Sequence, residues 1–294
     1  PDKIRKKHLH PVPKLGIIFF LPIVILFDNT NSTFEYSFHF IIFCLIFIII
    51  GILDDIISIK WVTRIFYESV AILSYILLNQ EFILYELNIN NPILEDIIKT
   101  ENFYFLLFFT GFCFVALINA LNFYDGINNQ LSQYLIILFL FFYIKTLNPI
   151  FIILIIILII YSIFNYQSKV FFGSASVYFI AFLLFNFSIF YHNKNIIGAD
   201  EIFLMLLYPG LDMTRLFFFR MFKKSSPFKA DRNHVHHILS LKYSQRMVVF
   251  INNIPVIFCL VFSQIPFINN LYGLVFVILY YILILNINKK LLRP

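Results

Sequence analysis

Five short polar stretches interrupt an otherwise apolar chain, and their residue types suit phosphate chemistry. Gly51-Ile-Leu-Asp54-Asp55 places two adjacent carboxylates at the end of an apolar run, with Arg64 following. Neighbouring carboxylates beside a membrane cost free energy unless a cation neutralises them. Mg²⁺ would do so, because it takes one or two carboxylates and leaves room for substrate phosphates. The plainer reading is an N-cap for the next segment with a solvated neighbour. Asn119, Asn122 and Asp125 are spaced by three and share one helical face. Their amides can bind a phosphate or a sugar, and Asp125 can be a metal ligand or a base, with Asn128 just beyond. The plainer reading is a polar helix end closing on an Asp125-Gly126 turn. Near the C-terminus, Asp231-Arg232-Asn233 leads into His234, His236 and His237. Three histidines suggest zinc, but this spacing is not a helical i, i+4 pair and no cysteine is near. Charge-assisted hydrogen bonds to a diphosphate suit the cluster better; a basic loop on anionic lipid is the competing reading. The other two stretches are Arg5-Lys6-Lys7-His8 with Pro13-Lys14-Leu15-Gly16, and Phe172-Gly173-Ser174-Ala175-Ser176.

The elements that must position these residues are membrane helices. The chain is 61% hydrophobic and only 13% charged, whereas soluble domains are about half apolar and a quarter charged. A spanning helix needs about 20 mostly apolar residues. Ten candidate blocks lie near 15–27, 38–53, 65–78, 103–121, 131–145, 149–164, 172–191, 201–218, 247–264 and 268–286, the interruption at Lys145–Pro149 splitting one long run. The runs do not alternate as barrel strands do. With the N-terminus inside, all but Lys99, Lys145 and Lys194 of the 22 Lys and Arg fall in inner segments, which fixes the orientation. All five polar stretches then lie on the inner face. The pI near 9.1 reflects basic loops facing anionic lipid, not nucleic acid. Cys44, Cys113 and Cys259 form no CxxC pair and read as small buried hydrophobes. The expected fold is all-α: a single polytopic membrane domain over 1–294, with about ten transmembrane helices and cytoplasmic catalytic loops.

Together the five stretches resemble the polyprenyl-phosphate N-acetylhexosamine-1-phosphate transferases. Arg5–His8 with Pro13–Gly16 resembles that family's N-terminal loop. Gly51–Asp55 resembles its aspartate-pair motif, with Arg64 where the family usually has Lys. Asn119–Asn128 resembles its NxxNxxDGxN/D motif, and Ser226-Pro227-Phe228 through His237 resembles its histidine loop. The HxHH form is closer to the sugar-transferring branch than to the peptidoglycan branch. The resemblance implies a further helix before the N-terminal loop, a feature this chain, starting at Pro1, would lack. It also implies transfer of a sugar-1-phosphate from a UDP-N-acetylhexosamine to polyprenyl (undecaprenyl) phosphate with release of UMP, at the inner face of a bacterial cytoplasmic membrane. Mg²⁺ or Mn²⁺ is the implied cofactor, and a homodimer is compatible with it. Carried onto this chain, Asp54, Asp55 and Asp125 become the catalytic and metal-binding carboxylates. Arg64, Asn119, Asn122, Asn128, Asp231, Arg232, His234, His236 and His237 become the substrate-binding set.

One stretch departs from the family. Ser174 stands where the family usually places an Asp, and a serine hydroxyl brings no charge to a cation. The alternatives are therefore an active transferase, a weakened relative acting as a binding protein, and a transporter or flippase. Transporters gather polar groups near the bilayer midplane, often with internal repeats; here they cluster at one surface and no repeat is visible.

Overall fold

The structure, a computed structural model, describes residues 12–23, 38–86, 102–226, 233–265 and 270–288. No strand occurs among them. Nine long helices do: α1 (Phe38–Ile57), α2 (Trp61–Leu78), α3 (Phe103–Tyr124), α4 (Gln130–Thr146), α5 (Ile150–Tyr166), α6 (Gly173–Asn193), α7 (Ala199–Phe222), α9 (Gln245–Phe262) and α10 (Asn270–Ile287), with a short α8 (Val235–Leu239) before the eighth of them. Seven are long and apolar enough to cross a bilayer, and α4 and α5 are shorter apolar helices of 17 residues. The chain is an all-α, multi-pass membrane protein. Ile49, Ile56, Phe108, Phe112, Ile156, Ile163, Val275 and Leu279 point outward, as expected where the solvent is lipid.

Several helices outrun their apolar blocks. Helix α1 continues to Ile57, α3 to Tyr124 and α7 to Phe222. Hydropathy marks the hydrocarbon core, but backbone hydrogen bonding carries a helix on into the polar interface. Asp54 and Asp55 thus sit inside the last turn of α1, and Lys60 is the residue that precedes α2. The block expected at 15–27 opens as a 3-10 turn, Gly16–Phe19. Its lead-in is tied sideways, with Phe171 N–H donating to Pro13 O and Gly16 N–H to Phe171 O. Residues 24–27 lie outside the described residues.

Helix α6 is the axis of the bundle. It is buried nearly all round, as an apolar helix without a polar face must be. Helices α1 and α3 pack on it, α2 bridges them, and α4, α5, α7, α9 and α10 complete the bundle. Gly51 governs one contact that matters for the site. A Cβ there would lie 2.4 Å from Ala175 Cα, so only glycine lets α1 approach the start of α6. One turn further on, Asp54 meets Ser174 and Asp55 meets the backbone of Ala175. At the opposite end of the bundle Lys145 pairs with Glu201 at 2.6 Å and donates to Ser263 O. The break between α4 and α5 falls at Leu147, which adopts a left-handed conformation beside Pro149. Because the helices alternate in direction, the turns at 58–60, 125–129 and 167–172 and the segments 223–226 and 233–244 share one end.

Candidate active site

Two clusters form at that end. The first is built on Asp54 and Asp55. Carboxylates in the last turn of a helix oppose its dipole, so they need partners from elsewhere. Lys14 Nζ lies 2.9 Å from Asp55 Oδ1, and Ala175 N–H points at Asp55 Oδ2. Ser174 Oγ donates to Asp54 Oδ2 at 3.0 Å, and Arg64 lies 3.8 Å from the same oxygen. The serine thus engages Asp54 directly.

Arg64 also donates to Asn119 Oδ1 at 3.0 Å, while Asn119 Nδ2 donates to Glu68 Oε2 and Val115 O. Both ends of the Asn119 amide are therefore held by protein groups. Tyr178 O–H donates to Glu68 Oε1 at 2.8 Å. Asn122 is half-buried one turn beyond Asn119. Asp125 caps α3, its N–H donating to Leu121 O. Burial and the negative charge of Asp55 push its carboxyl up to about 7, with Lys14 pulling it back. Asn128 Nδ2 donates to Ser168 Oγ and its carbonyl accepts from Gln245.

The second cluster is the histidine loop. Asp231 and Arg232 lie outside the described residues, as do Arg5 to His8. His234 Nδ1 faces Asp212 Oδ2 at 2.8 Å. Asp212 also accepts from Arg215 and from Tyr281 O–H, at 2.8 and 2.9 Å. Ligand atoms of Asp212, His234 and His236 lie within 4.8 Å of one another, and no other such trio occurs among the described residues. With its oxygens occupied by these donors, Asp212 is better suited to orienting His234 than to coordinating a metal.

His236 stacks on His234, their centroids 5.3 Å apart, and touches His237. A directional relay fixes its tautomer. Tyr208 O–H donates to Asn252 Oδ1, Asn252 Nδ2 to Gln130 Oε1, and Gln130 Nε2 faces His236 Nδ1 at 3.4 Å. The His236 proton then belongs on Nε2, a buried atom with no hydrogen-bond partner among the described residues. Burial and the neighbouring His237 and His234 hold the ring well below its ordinary value, Asp212 opposing. At neutral pH His236 is an uncharged donor.

Gly126 joins the two clusters. A Cβ on it would lie 1.8 Å from His236 Nε2, so the ring rests against the residue that follows Asp125. Asp125 feels the charge of Asp55, and its neighbour Gly126 lies against His236, so groups from α1, the end of α3 and α8 are linked through this turn. Glu68, Asp212, Gln130 and Asn252 are the members that sequence reasoning missed. Glu68 and Asp212 each left a signal, as a carboxylate within an apolar block.

No curated protein matches the chain. The sequence model of Glycosyl transferase family 4 matches residues 37–192, a stretch that holds the aspartate pair, the Asn119–Asn128 segment and Ser174 and ends before the histidine loop at His234–His237. Since that stretch is more than half of the 294 residues and carries both carboxylate motifs, the chain belongs to glycosyl transferase family 4.

Proposed function

We propose that this membrane sugar-phosphate transferase moves N-acetylhexosamine-1-phosphate from a UDP-sugar to polyprenyl phosphate, releasing UMP, with the polar end of the bundle facing the cytoplasm. The observation that supports the reading is that Asp125 feels the charge of Asp55 while Gly126, next to it, lies against His236. An oxygen of the lipid phosphate attacks the β-phosphorus of the nucleotide sugar. The bond from that phosphorus to the bridging oxygen breaks, and the oxygen leaves with UMP. Both reactants are anions, so the site must suppress their repulsion.

The carboxylates of Asp54, Asp55 and Asp125, with the Ser174 hydroxyl, are hard oxygen donors of the type Mg²⁺ and Mn²⁺ take. They do not close into a tight cage, which suits an ion whose shell is completed by waters and substrate phosphates. A divalent cation bound there neutralises charge on the diphosphate. Asp125 is assigned as its ligand, while Asp54 and Asp55 orient the lipid phosphate or share the ion. Lys14, Arg232, His234, His236 and His237 hold phosphate oxygens. Asn122 and Asn128 line the approach to the sugar and nucleotide.

The decisive experiment incubates the purified full chain with undecaprenyl phosphate and a panel of UDP-N-acetylhexosamines and measures UMP. Lipid-dependent UMP release with at least one of them is expected. A folded protein that binds UDP-sugar without releasing UMP would instead favour the binding-protein reading that Ser174 motivates.

A pH dependence follows from Asp125. Proton and cation compete for one carboxylate whose proton leaves near pH 7. Above that pH apparent Mn²⁺ affinity is expected to be flat, and below it to fall about tenfold per pH unit, as one proton is displaced. Titration calorimetry in two buffers of different ionisation enthalpy at pH 6 would show the released proton; affinity that is level from pH 5.5 to 8 would remove Asp125 from the ligand set.

A further inference from the structure

We propose that Glu68 is a positioning residue of this site: it holds the Arg64 guanidinium off Asp54, and so keeps the Asp54 carboxylate available to a divalent cation. The link to transfer rests on the function proposed above; the competition for Arg64 rests on geometry alone.

Glu68 lies one turn beyond Arg64 in α2 and is 0% exposed. A carboxylate inside a membrane helix is costly and persists only with partners. Here both oxygens are engaged, by Tyr178 O–H at 2.8 Å and Asn119 Nδ2 at 2.9 Å. Arg64 sits between two carboxylates, its Nε 3.6 Å from Glu68 and its NH1 3.8 Å from Asp54. Those separations are ion-pair distances but too long for hydrogen bonds. Its firm hydrogen bond goes to Asn119 Oδ1 at 3.0 Å, and its buried Nε has no hydrogen-bond partner among the described residues. A guanidinium prefers a bidentate carboxylate, and this one is drawn both ways and closes on neither.

Without the charge on Glu68 the balance ends. The guanidinium has less than an ångström to travel before it hydrogen-bonds Asp54. Asp54 would then be neutralised by a fixed cation and lose attraction for a mobile one. A glutamine at position 68 adds a second effect. It can still accept from Tyr178, but it then turns an amide N–H₂ toward Asn119 Nδ2, and two donors repel. The Asn119 amide would flip and give up its bond to Arg64. Glu68 thereby acts on the aspartate pair through Arg64 and Asn119, with no contact of its own to substrate.

A purely structural alternative exists, because Glu68 also ties α2 to α3 and α6. Mn²⁺ binding to the purified full chain in nanodiscs, followed by electron paramagnetic resonance without substrates, separates the two. Glu68→Gln is expected to raise the Mn²⁺ dissociation constant about tenfold, and Arg64→Gln with Glu68→Gln to bring it back to within about threefold of wild type. Tyr178→Phe, which removes a hydrogen bond but no charge, is expected to leave it within about twofold. An unchanged constant in Glu68→Gln, or a double variant as weak as the single one, overturns the proposal. If Glu68→Gln does not yield monodisperse protein, Glu68→Asp withdraws the charge by one methylene and should weaken Mn²⁺ about threefold; no weakening there overturns it equally. UMP plays no part in this titration. A wild type that binds Mn²⁺ as described but transfers no sugar phosphate would sink the proposed reaction and leave the role of Glu68 standing.

Discussion

Asp125→Asn yields a folded protein whose turnover falls about a thousandfold or more, the rate equivalent of losing several kcal/mol of charge stabilisation. The substitution is nearly isosteric, and the backbone bond from residue 125 to Leu121 O does not involve the side chain. The sign of its effect on stability is opposite to its effect on activity. The carboxyl of Asp125 rises from an ordinary value of 3.8 to about 7 on folding. The folded state therefore holds a proton that the unfolded state has released, and the cost of keeping that proton grows as pH rises from about 4 to about 7. Wild-type protein free of cations loses stability across that window. Asp125→Asn removes the titrating group, so its melting temperature at pH 8 should equal or exceed that of wild type, with less decline from pH 5. Thermal melts at both pH values, set beside UMP release, test the pair of effects. Retained turnover would defeat the assignment of Asp125, and a collapsed melt would show that the residue serves the fold.

This divergence between fold and function also accounts for what was readable in the sequence. The spans were legible because lipid demands long apolar runs, and nothing else in the chain imitates them. The aspartate pair, Asp125 and the histidines were legible because a polar island in so apolar a chain is conspicuous. Their partners were hidden because they come from far along the chain. Gln130 meets His236 across 106 residues, and Asn119 meets Glu68 across 51. Asp212 ends on His234 by a smaller step of 22 residues, but one that crosses from α7 to the loop before α8. Glu68 reads locally as a lone charge in the block at 65–78, and only the approach of α3 and α6 gives it a task. Asn119 shows the converse. Its spacing with Asn122 and Asp125 suggests three side chains offered to a ligand, yet the fold spends its amide on Arg64 and Glu68. Periodicity reports which face a residue occupies and is silent on what already covers that face.

Gly126→Ala tests the convergence of the two clusters most directly. Gly126 is not among the residues with positive φ, so alanine is compatible with its backbone and the consequence is steric. The added Cβ would fall 1.8 Å from His236 Nε2, far inside contact distance. The ring has little freedom to yield. It is 2% exposed, stacked on His234 and met by Gln130 on its other nitrogen. Either the histidine loop or the turn after Asp125 must shift by an ångström or more. Overpacking of this kind costs about 1–3 kcal/mol. Displacement of a substrate-positioning group by about 1 Å costs on the order of a hundredfold in rate. Gly126→Ala should therefore lower both melting temperature and turnover. Adding His236→Ala empties the space into which the new methyl protrudes. The double variant should regain much of the lost melting temperature while turnover stays low, because a member of the phosphate-binding set is gone. The stability effects are then non-additive, as for residues in contact, and coupling of about 0.5–3 kcal/mol is expected. Strictly additive melts would mean that His236 and Gly126 do not touch. In that case the link from Asp125 to His236 would have to be given up, and the two clusters treated as separate sites.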